Sequence, residues 1–367
     1  MPFWPVWLKS KDISILEISI LTAITFALKI IVTPYVSKIT DKNNSPRLSI
    51  ILSCLGLFIF LFLFIITNSF YSILLVTLVA FSFWSPIMAL IDGYTINTIK
   101  DSKYDYGKIR IWGSIANMIV AITSGKLIGT FGASKLLYFL IVISGLLLIA
   151  SFILPKKKEE AYTQKNIKIS FRPFLKSRWF IIFLISTTLI QGSHAFYYTF
   201  GSINWQKTGV SDEVIGFLWG ISVASEIIFF LFGKKFISKI GFINIIILGG
   251  IAATCRWFAI GYFSNIFILM FFQLLQAISF AASHVAAISL IGEKVSKEIS
   301  STGQGLYSSF IMGIGMGCFV FLSGPIYQNF GSFSFYLMAG VSFLGIIMAL
   351  LLKRTKLDKI DLSSNIN

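Results

Sequence analysis

Charge is scarce in this chain, and acid scarcer still: 13% of its 367 residues are Asp, Glu, Lys or Arg, with 15 acidic against 31 basic. Soluble domains carry about a quarter of their residues as charges, so a water-facing globule is excluded. Cysteine is reduced to three residues, Cys54, Cys255 and Cys318, all inside apolar runs and without paired spacing. That excludes a disulfide framework and a thiolate metal site and leaves them as small core residues. The only two histidines are His194 and His284, and neither is followed by an acid four or five residues on. A membrane-embedded acid–base enzyme is therefore disfavoured. The absence of a Walker segment argues against ATP drive, and no metal or cofactor is expected. The opening MPFWPVWLKSKD lacks the basic-then-apolar order of a cleavable signal, so insertion is expected to rest on the first span.

Long apolar runs are what the chain has, in a composition 56% hydrophobic and 16% aromatic. Runs long enough to span a bilayer fall at about 14–38, 48–67, 71–97, 111–131, 135–154, 179–201, 213–238, 242–263, 266–291, 304–326 and 333–352. The expectation is an all-α integral membrane protein with eleven transmembrane helices. With alternating connections, one side collects 24 of the 31 Lys and Arg, against four on the other side and three inside spans. By the positive-inside rule the first side, which holds the C-terminus, is cytoplasmic. This distribution in short clusters, not in one solvent-facing patch, also argues against a nucleic-acid partner despite the net charge of +16.

Residues 155–178 form the one long polar segment and read as a cytoplasmic linker. It separates an N-terminal bundle, 1–154, from a C-terminal bundle, 179–353, followed by a cytoplasmic tail, 354–367. A weak internal repeat accompanies the division. Ser10, Asp12, Ile13, Ser14, Ile18 and Ser19 align at a constant offset of 197 with Lys207, Gly209, Val210, Ser211, Ile215 and Gly216. The second copy is preceded by a whole helix and the first only by MPFWPVW, so the first helix of the first half is expected to be missing.

Four charged residues lie deep inside the spans: Lys29, Asp92, Glu226 and Arg256. Each costs roughly 2.5–3.5 kcal/mol at a bilayer centre unless compensated, and a whole domain's net stability is only about 5–15 kcal/mol. They must find partners, water or a substrate, which points to a polar pathway through the membrane. Helical spacing puts Thr22, Thr25, Lys29 and Thr33 on one stripe, and Trp219, Ser222 and Glu226 on another. Gln191, His194 and Tyr198 share a third face, Gln273, Gln276, Phe280 and His284 a fourth, and Ser85, Met88 and Asp92 a fifth. The competing account is that Ser, Thr and Gln simply join packed helices. Offset by 197, Lys29 falls opposite Glu226, so the halves carry opposite charges at equivalent depth. A carboxyl withdrawn from water keeps its proton to higher pH, which makes Glu226 the candidate proton-binding group, alternating between protonated and Arg256-paired states. The planar fork of Arg256 suits a carboxylate. Lys29 attracts an anionic substrate or pairs with Asp92, and Asp92 equally suits a structural bond to the loop from Tyr104 to Arg110. His194 and His284 are candidates for a proton relay. Tyr197, Tyr198, Trp219 and Trp257 offer flat walls to an aromatic ligand.

The segments FWPVWLKSKDIS, FWSPIMALIDGY, DYGKIRIWGS, QGSHAFYYTFGSINW and QLLQAISFAASH together resemble the major facilitator superfamily, most closely its phenylpropionate permease branch, related to the lactose permease. The resemblance covers nearly the whole chain. It implies two six-helix bundles around a central cavity, twelve helices in all, with charged residues on the eighth to tenth serving substrate and proton. The superfamily's loop signature is matched by Ser37, Asp41, Lys42 and Arg47, a candidate conformational loop, although Asn44 replaces a usual Gly and Pro46 intrudes. The expected function is proton-coupled symport of a small organic acid, with an aromatic acid as the leading case, by a monomer in the bacterial inner membrane. The site residues expected to serve it are Lys29, Asp92, His194, Tyr198, Glu226, Arg256, Gln276 and His284. The alternatives are a nucleoside or sugar symporter and a truncated remnant that transports nothing.

Overall fold

The structure, a computed structural model, describes residues 2–43, 45–99, 103–104, 106–155, 172–296 and 299–360. Most of the expected linker, 156–171, and the end of the tail, 361–367, lie outside the described residues. Helices make up the described chain except for turns and one parallel bridge between Val295 and Ile360. In lipid an α-helix satisfies every backbone polar group internally, and the long apolar runs take that form. After a short α1 (Trp4–Lys9) come α2 (Ile15–Asn43), α3 (Pro46–Ile66), α4 (Phe70–Ile99), α5 (Tyr106–Phe131) and α6 (Leu136–Ile153). The second half holds α7 (Arg172–Lys176), α8 (Arg178–Gly192), α9 (His194–Lys207), α10 (Asp212–Ile240), α11 (Phe242–Tyr262), α12 (Ile266–Leu274), α13 (Ser283–Lys294), α14 (Ser300–Ser308), α15 (Met316–Phe330) and α16 (Ser334–Arg354).

Ten stretches are long and apolar enough to cross a membrane, and the last, Thr302–Arg354, folds back on itself at Gly331–Phe333 as two helices. The eleven expected spans are therefore present among the described residues. Local chemistry sets several starts. Glu17 accepts from the backbone N–H and hydroxyl of Ser14 at 2.9 and 2.6 Å, closing a capping box at the head of α2. Asn265 caps α12 by accepting from the N–H groups of Phe267 and Ile268.

Three features depart from the sequence pattern. The expected span at 179–201 is two helices, broken at Ser193 and extended to Lys207. Wide π-helical turns occupy Ala277–Ala282 and Ser309–Gly315; each inserts a residue into the helical register, as such turns commonly do near functional sites. The cysteines are not uniformly core: Cys54 is buried, but Cys255 and Cys318 are exposed. An apolar run does not reveal which of its faces meets lipid.

Packing within the first half joins α3 to α4 and α6, and α2 to α4; in the second, α11 joins α16 and α13, and α16 joins α8. The most extensive contacts between the halves are α5 with α10 and α2 with α15. Both depend on missing side chains. A Cβ on Gly125 would lie 2.5 Å from the carbonyl oxygen of Asp212, and one on Gly216 would lie 2.9 Å from that of Ala121. At Gly324 a Cβ would meet Ser19. These close approaches lie toward the ends of the helices away from the lysine-rich connections. There α1 also packs on α9, and Ser202 donates to the carbonyl of Pro2 at 2.8 Å.

At the opposite end the chain folds its tail back. Ser296 N–H donates to the Ile360 carbonyl and Ile360 N–H to the Lys294 carbonyl, both at 2.9 Å, while Trp179 Nε1 donates to the Asp358 carbonyl at 2.8 Å. Ile360 is buried in a cluster with Phe174, Trp179 and Ile299. The first part of the expected tail is therefore a strap fastening α7, α8 and the end of α13. Ile360→Ala is expected to cost about 2 kcal/mol, at the low end for a buried aliphatic truncation. Faster proteolysis of the 294–299 turn in the purified variant is the readout, and an unchanged cleavage rate would count against the strap.

Candidate functional site

The most polar part of the interior lies where α9, α10, α11 and the segment from α12 through the π turn converge. Arg256 on α11 is completely buried, and its guanidinium packs against two adjoining aromatic rings, 4.5 Å from the centroid of Tyr197 and 4.9 Å from that of Trp257. Such faces stabilise a desolvated cation. Nη2 donates to Gln273 Oε1 at 2.7 Å, and Nη1 donates to Gln276 Oε1. Gln276 in turn donates from Nε2 to Glu226 Oε1 at 2.6 Å and, more weakly, to the Tyr198 hydroxyl at 3.4 Å. Among the described residues no direct ion pair joins Glu226 and Arg256. The expected direct pairing is thus corrected to one bridged by an amide, because the Gln276 side chain fills the space between α10 and α11.

Gln273 is more than helix glue. Its Oε1 also accepts from Ser222 at 2.5 Å and from Tyr197 at 3.1 Å, so three donors share one oxygen. Two buried donors here find no acceptor, Nε of Arg256 and Nε2 of Gln273. Each orphan costs about 1–3 kcal/mol. Around the cluster Tyr197 stacks on Trp219 with centroids 4.1 Å apart, and Tyr198 lies 6.0 Å from the same ring. Glu226, Tyr198, Phe280 and His284 are only half-buried and form the accessible side, with Arg256, Gln273 and Gln276 behind them.

The two histidines are separated, as their positions in the spans imply. His194 is fully buried, with Nδ1 3.2 Å from the Ile190 carbonyl, Nε2 3.3 Å from Ser279 Oγ and its ring edge-on to Trp257. His284 lies 3.0 Å from the Tyr307 hydroxyl and stacks on Phe280, whose ring stands between the two imidazoles.

In the first half the expected site is sparser. Lys29 is exposed and, among the described residues, has neither an ion pair nor a hydrogen bond, so the alternative pairing with Asp92 is not formed. Asp92 lies 3.9 Å from Arg110 instead, so the bond expected to a loop is made to the start of helix α5. Thr22 and Thr25 bond back to their own helix at Ile18 and Thr22, and only Thr33 reaches across, to the Ser85 carbonyl at 3.2 Å. In the loop candidate, Asp41 and Lys42 are exposed in the last turn of α2, whereas Arg47 donates to the carbonyls of Phe152 and Leu154 at 2.8 and 2.9 Å. Arg47 therefore satisfies the orphan carbonyls that end α6.

A cavity of about 360 Å³ lies between α10 and α12, lined by apolar residues such as Phe229, Phe232 and Leu274, and one of about 180 Å³ lies beside Asn117 and Ser124 on α5. Neither is lined by Glu226 or Arg256.

This arrangement of helices has known counterparts. The family model described as the MFS_1 like family matches residues 1–338. The chain belongs to that family. It is thus a multi-pass membrane transporter of the major facilitator type, a class that handles small molecules. Among its curated relatives is the probable 3-phenylpropionic acid transporter of Escherichia coli K12, 28% identical over 350 residues, covering 93% of this chain and 90% of that protein. Another is the putative nucleoside transporter YegT of the same strain, 24% identical over 333 residues, covering 86% of this chain and 77% of its own. The fold is shared with the crystal structure of the nucleoside transporter NupG, at a TM-score of 0.85 and 17% identity, covering 97% of this chain and 94% of that one.

Proposed function

We propose that this family member is a proton-coupled symporter of a small organic acid, of the phenylpropionate type, working by alternating access in the bacterial inner membrane with its lysine-rich end and C-terminus in the cytoplasm. The two halves, 1–154 and 179–353, rock about the α5–α10 and α2–α15 seams, as is usual for transporters built from repeats. The observation that carries the reading is the pair of orphaned donors, Arg256 Nε and Gln273 Nε2, beside a buried guanidinium. A carboxylate supplies the acceptors they lack, and a planar fork binds it bidentately. Glu226 is the proton site and Lys29 the accessible cation that draws the anion in. Tyr198, Phe280 and His284 offer an aromatic wall to its ring.

One observation favours a second reading, a nucleoside or sugar carrier. Both Nη groups of Arg256 are already occupied by glutamines, and the half-buried polar groups are Glu226, Tyr198 and His284, which suit hydroxyl-rich neutral ligands. Initial uptake into proteoliposomes, in excess of protein-free vesicles, separates the two. The acid reading expects 3-phenylpropionate uptake at least tenfold above that of uridine or maltose, and the reverse order would overturn it.

A further inference from the structure

Gln276 stands where a direct ion pair between Arg256 and Glu226 was to be expected. It is almost completely buried, and both ends of its amide are engaged, Oε1 by the guanidinium and Nε2 by the carboxylate at 2.6 Å. The side chain spans two helices from a third, because it sits at the last position before the π turn Ala277–Ala282, which packs on both α10 and α11. Arg256 cannot close the gap while the amide is there: Tyr197 and Trp257 pack against its guanidinium and Gln273 holds its other terminal nitrogen.

We infer that Gln276 is a positioning residue that insulates Glu226 from Arg256, so that a proton can compete for the carboxyl. The inference rests on the reading of Glu226 as the proton site. A carboxylate in direct contact with a guanidinium out of water is held ionised by short charge-assisted bonds, and attraction between unit charges falls with their separation. A permanently ionised Glu226 would carry no proton across. The amide dipole satisfies both charges, with oxygen toward the cation and nitrogen toward the anion, and it does not titrate itself. Other groups near Glu226 leave this role to Gln276. Tyr197 and Tyr198 face it from α9, and His194 stands behind them, bonded to Ser279. Arg256 is the cation from α11, α12 and the π turn contribute no titratable side chain, and α5 carries Lys108 and Arg110 near one end and Lys126 near the other.

The test needs no transport. Infrared titration of the purified full chain follows the C=O stretch of the protonated Glu226 carboxyl, identified by its disappearance in Glu226→Gln. Gln276→Met, similar in length and without the amide, is expected to move the midpoint of that band at least one pH unit toward acid, a tenfold loss of proton affinity. In a Gln276→Met/Arg256→Gln double variant the acid shift is expected to vanish, since no cation remains to collapse onto the carboxylate. A midpoint unmoved in Gln276→Met, or an acid shift that persists in the double variant, overturns the insulating role while leaving Glu226 as the proton site. A wild-type protein with no Glu226 band between pH 5 and 9 overturns the proton-site reading itself, and the inference with it.

Discussion

Replacing Glu226 by Gln is expected to abolish the dependence of uptake on a pH gradient while leaving exchange of internal for external substrate within about twofold of wild type. Gln keeps the length of the side chain, and its own oxygen still accepts from Nε2 of Gln276, so the bonds among Gln276, Arg256 and Gln273 survive. What is lost is the carboxyl of the network able to take up a proton. One proton carried with one monovalent anion moves no net charge, so the membrane potential does no work on the pair and the pH gradient alone drives it. A gradient of one unit, about 1.4 kcal/mol, supports roughly tenfold accumulation. Glu226→Gln is expected to reduce that ratio to about one, measured as the steady-state ratio of labelled 3-phenylpropionate, corrected for protein-free vesicles. Full accumulation by the variant would remove Glu226 from the coupling.

Gly216→Leu is the other substitution expected to have a large effect. A Cβ there would lie 2.9 Å from the Ala121 carbonyl oxygen, 3.0 Å from Gly125 Cα and 3.2 Å from the Ile122 carbonyl oxygen, all backbone atoms that cannot rotate aside. The α5–α10 seam must part to admit the side chain. Overpacking costs typically about 1–3 kcal/mol, less than the stability of a domain but enough to shift a two-state equilibrium roughly five- to 150-fold. Uptake is expected to fall at least tenfold with the protein still folded. The seam itself is read by a cysteine at Ser124, a buried position on α5, in a background without Cys54, Cys255 and Cys318. It is expected to resist a soluble maleimide in the parent and react in Gly216→Leu. Gly340→Leu is the internal control, because a Cβ at Gly340 meets nothing within 4 Å and transport should persist. Equal loss in both variants would show that the α5–α10 seam has no special role.

The spans were legible because a lipid-facing backbone leaves few options: some twenty apolar residues in a row must be helical, and Ile15–Asn43 through Arg354 follow the hydropathy runs closely. The convergence on α9, α10, α11 and the π turn was legible for a related reason, since Tyr198, Glu226, Arg256 and Gln276 are too polar to face lipid and meet at one place. What bridges them was not. Whether Glu226 reaches Arg256 directly or through Gln276 depends on how three helices cross, which no single helix's periodicity contains. Gln273 was weighed as helix glue, yet it holds Nη2 of Arg256; its spacing of 17 residues from Arg256 crosses a turn between helices and leaves no pattern. Arg47 looked like part of a loop signature because of its neighbours in sequence, whereas its hydrogen bonds run to carbonyls more than a hundred residues away. The Thr22 and Thr25 hydroxyls shared a stripe with Lys29, but a helical threonine can always bond its own preceding turn, and these do.

Binding and protonation should be one event if a carboxylate ligand and the Glu226 proton share this network. Thermodynamic linkage requires that each raise the affinity for the other by the same factor. The direct measurement is proton uptake on adding 3-phenylpropionate to the purified protein in weak buffer near pH 7.5, with bound ligand counted in parallel. Uptake approaching one proton per anion bound, absent in Glu226→Gln, is the predicted result. Binding without proton uptake in the wild type would contradict it.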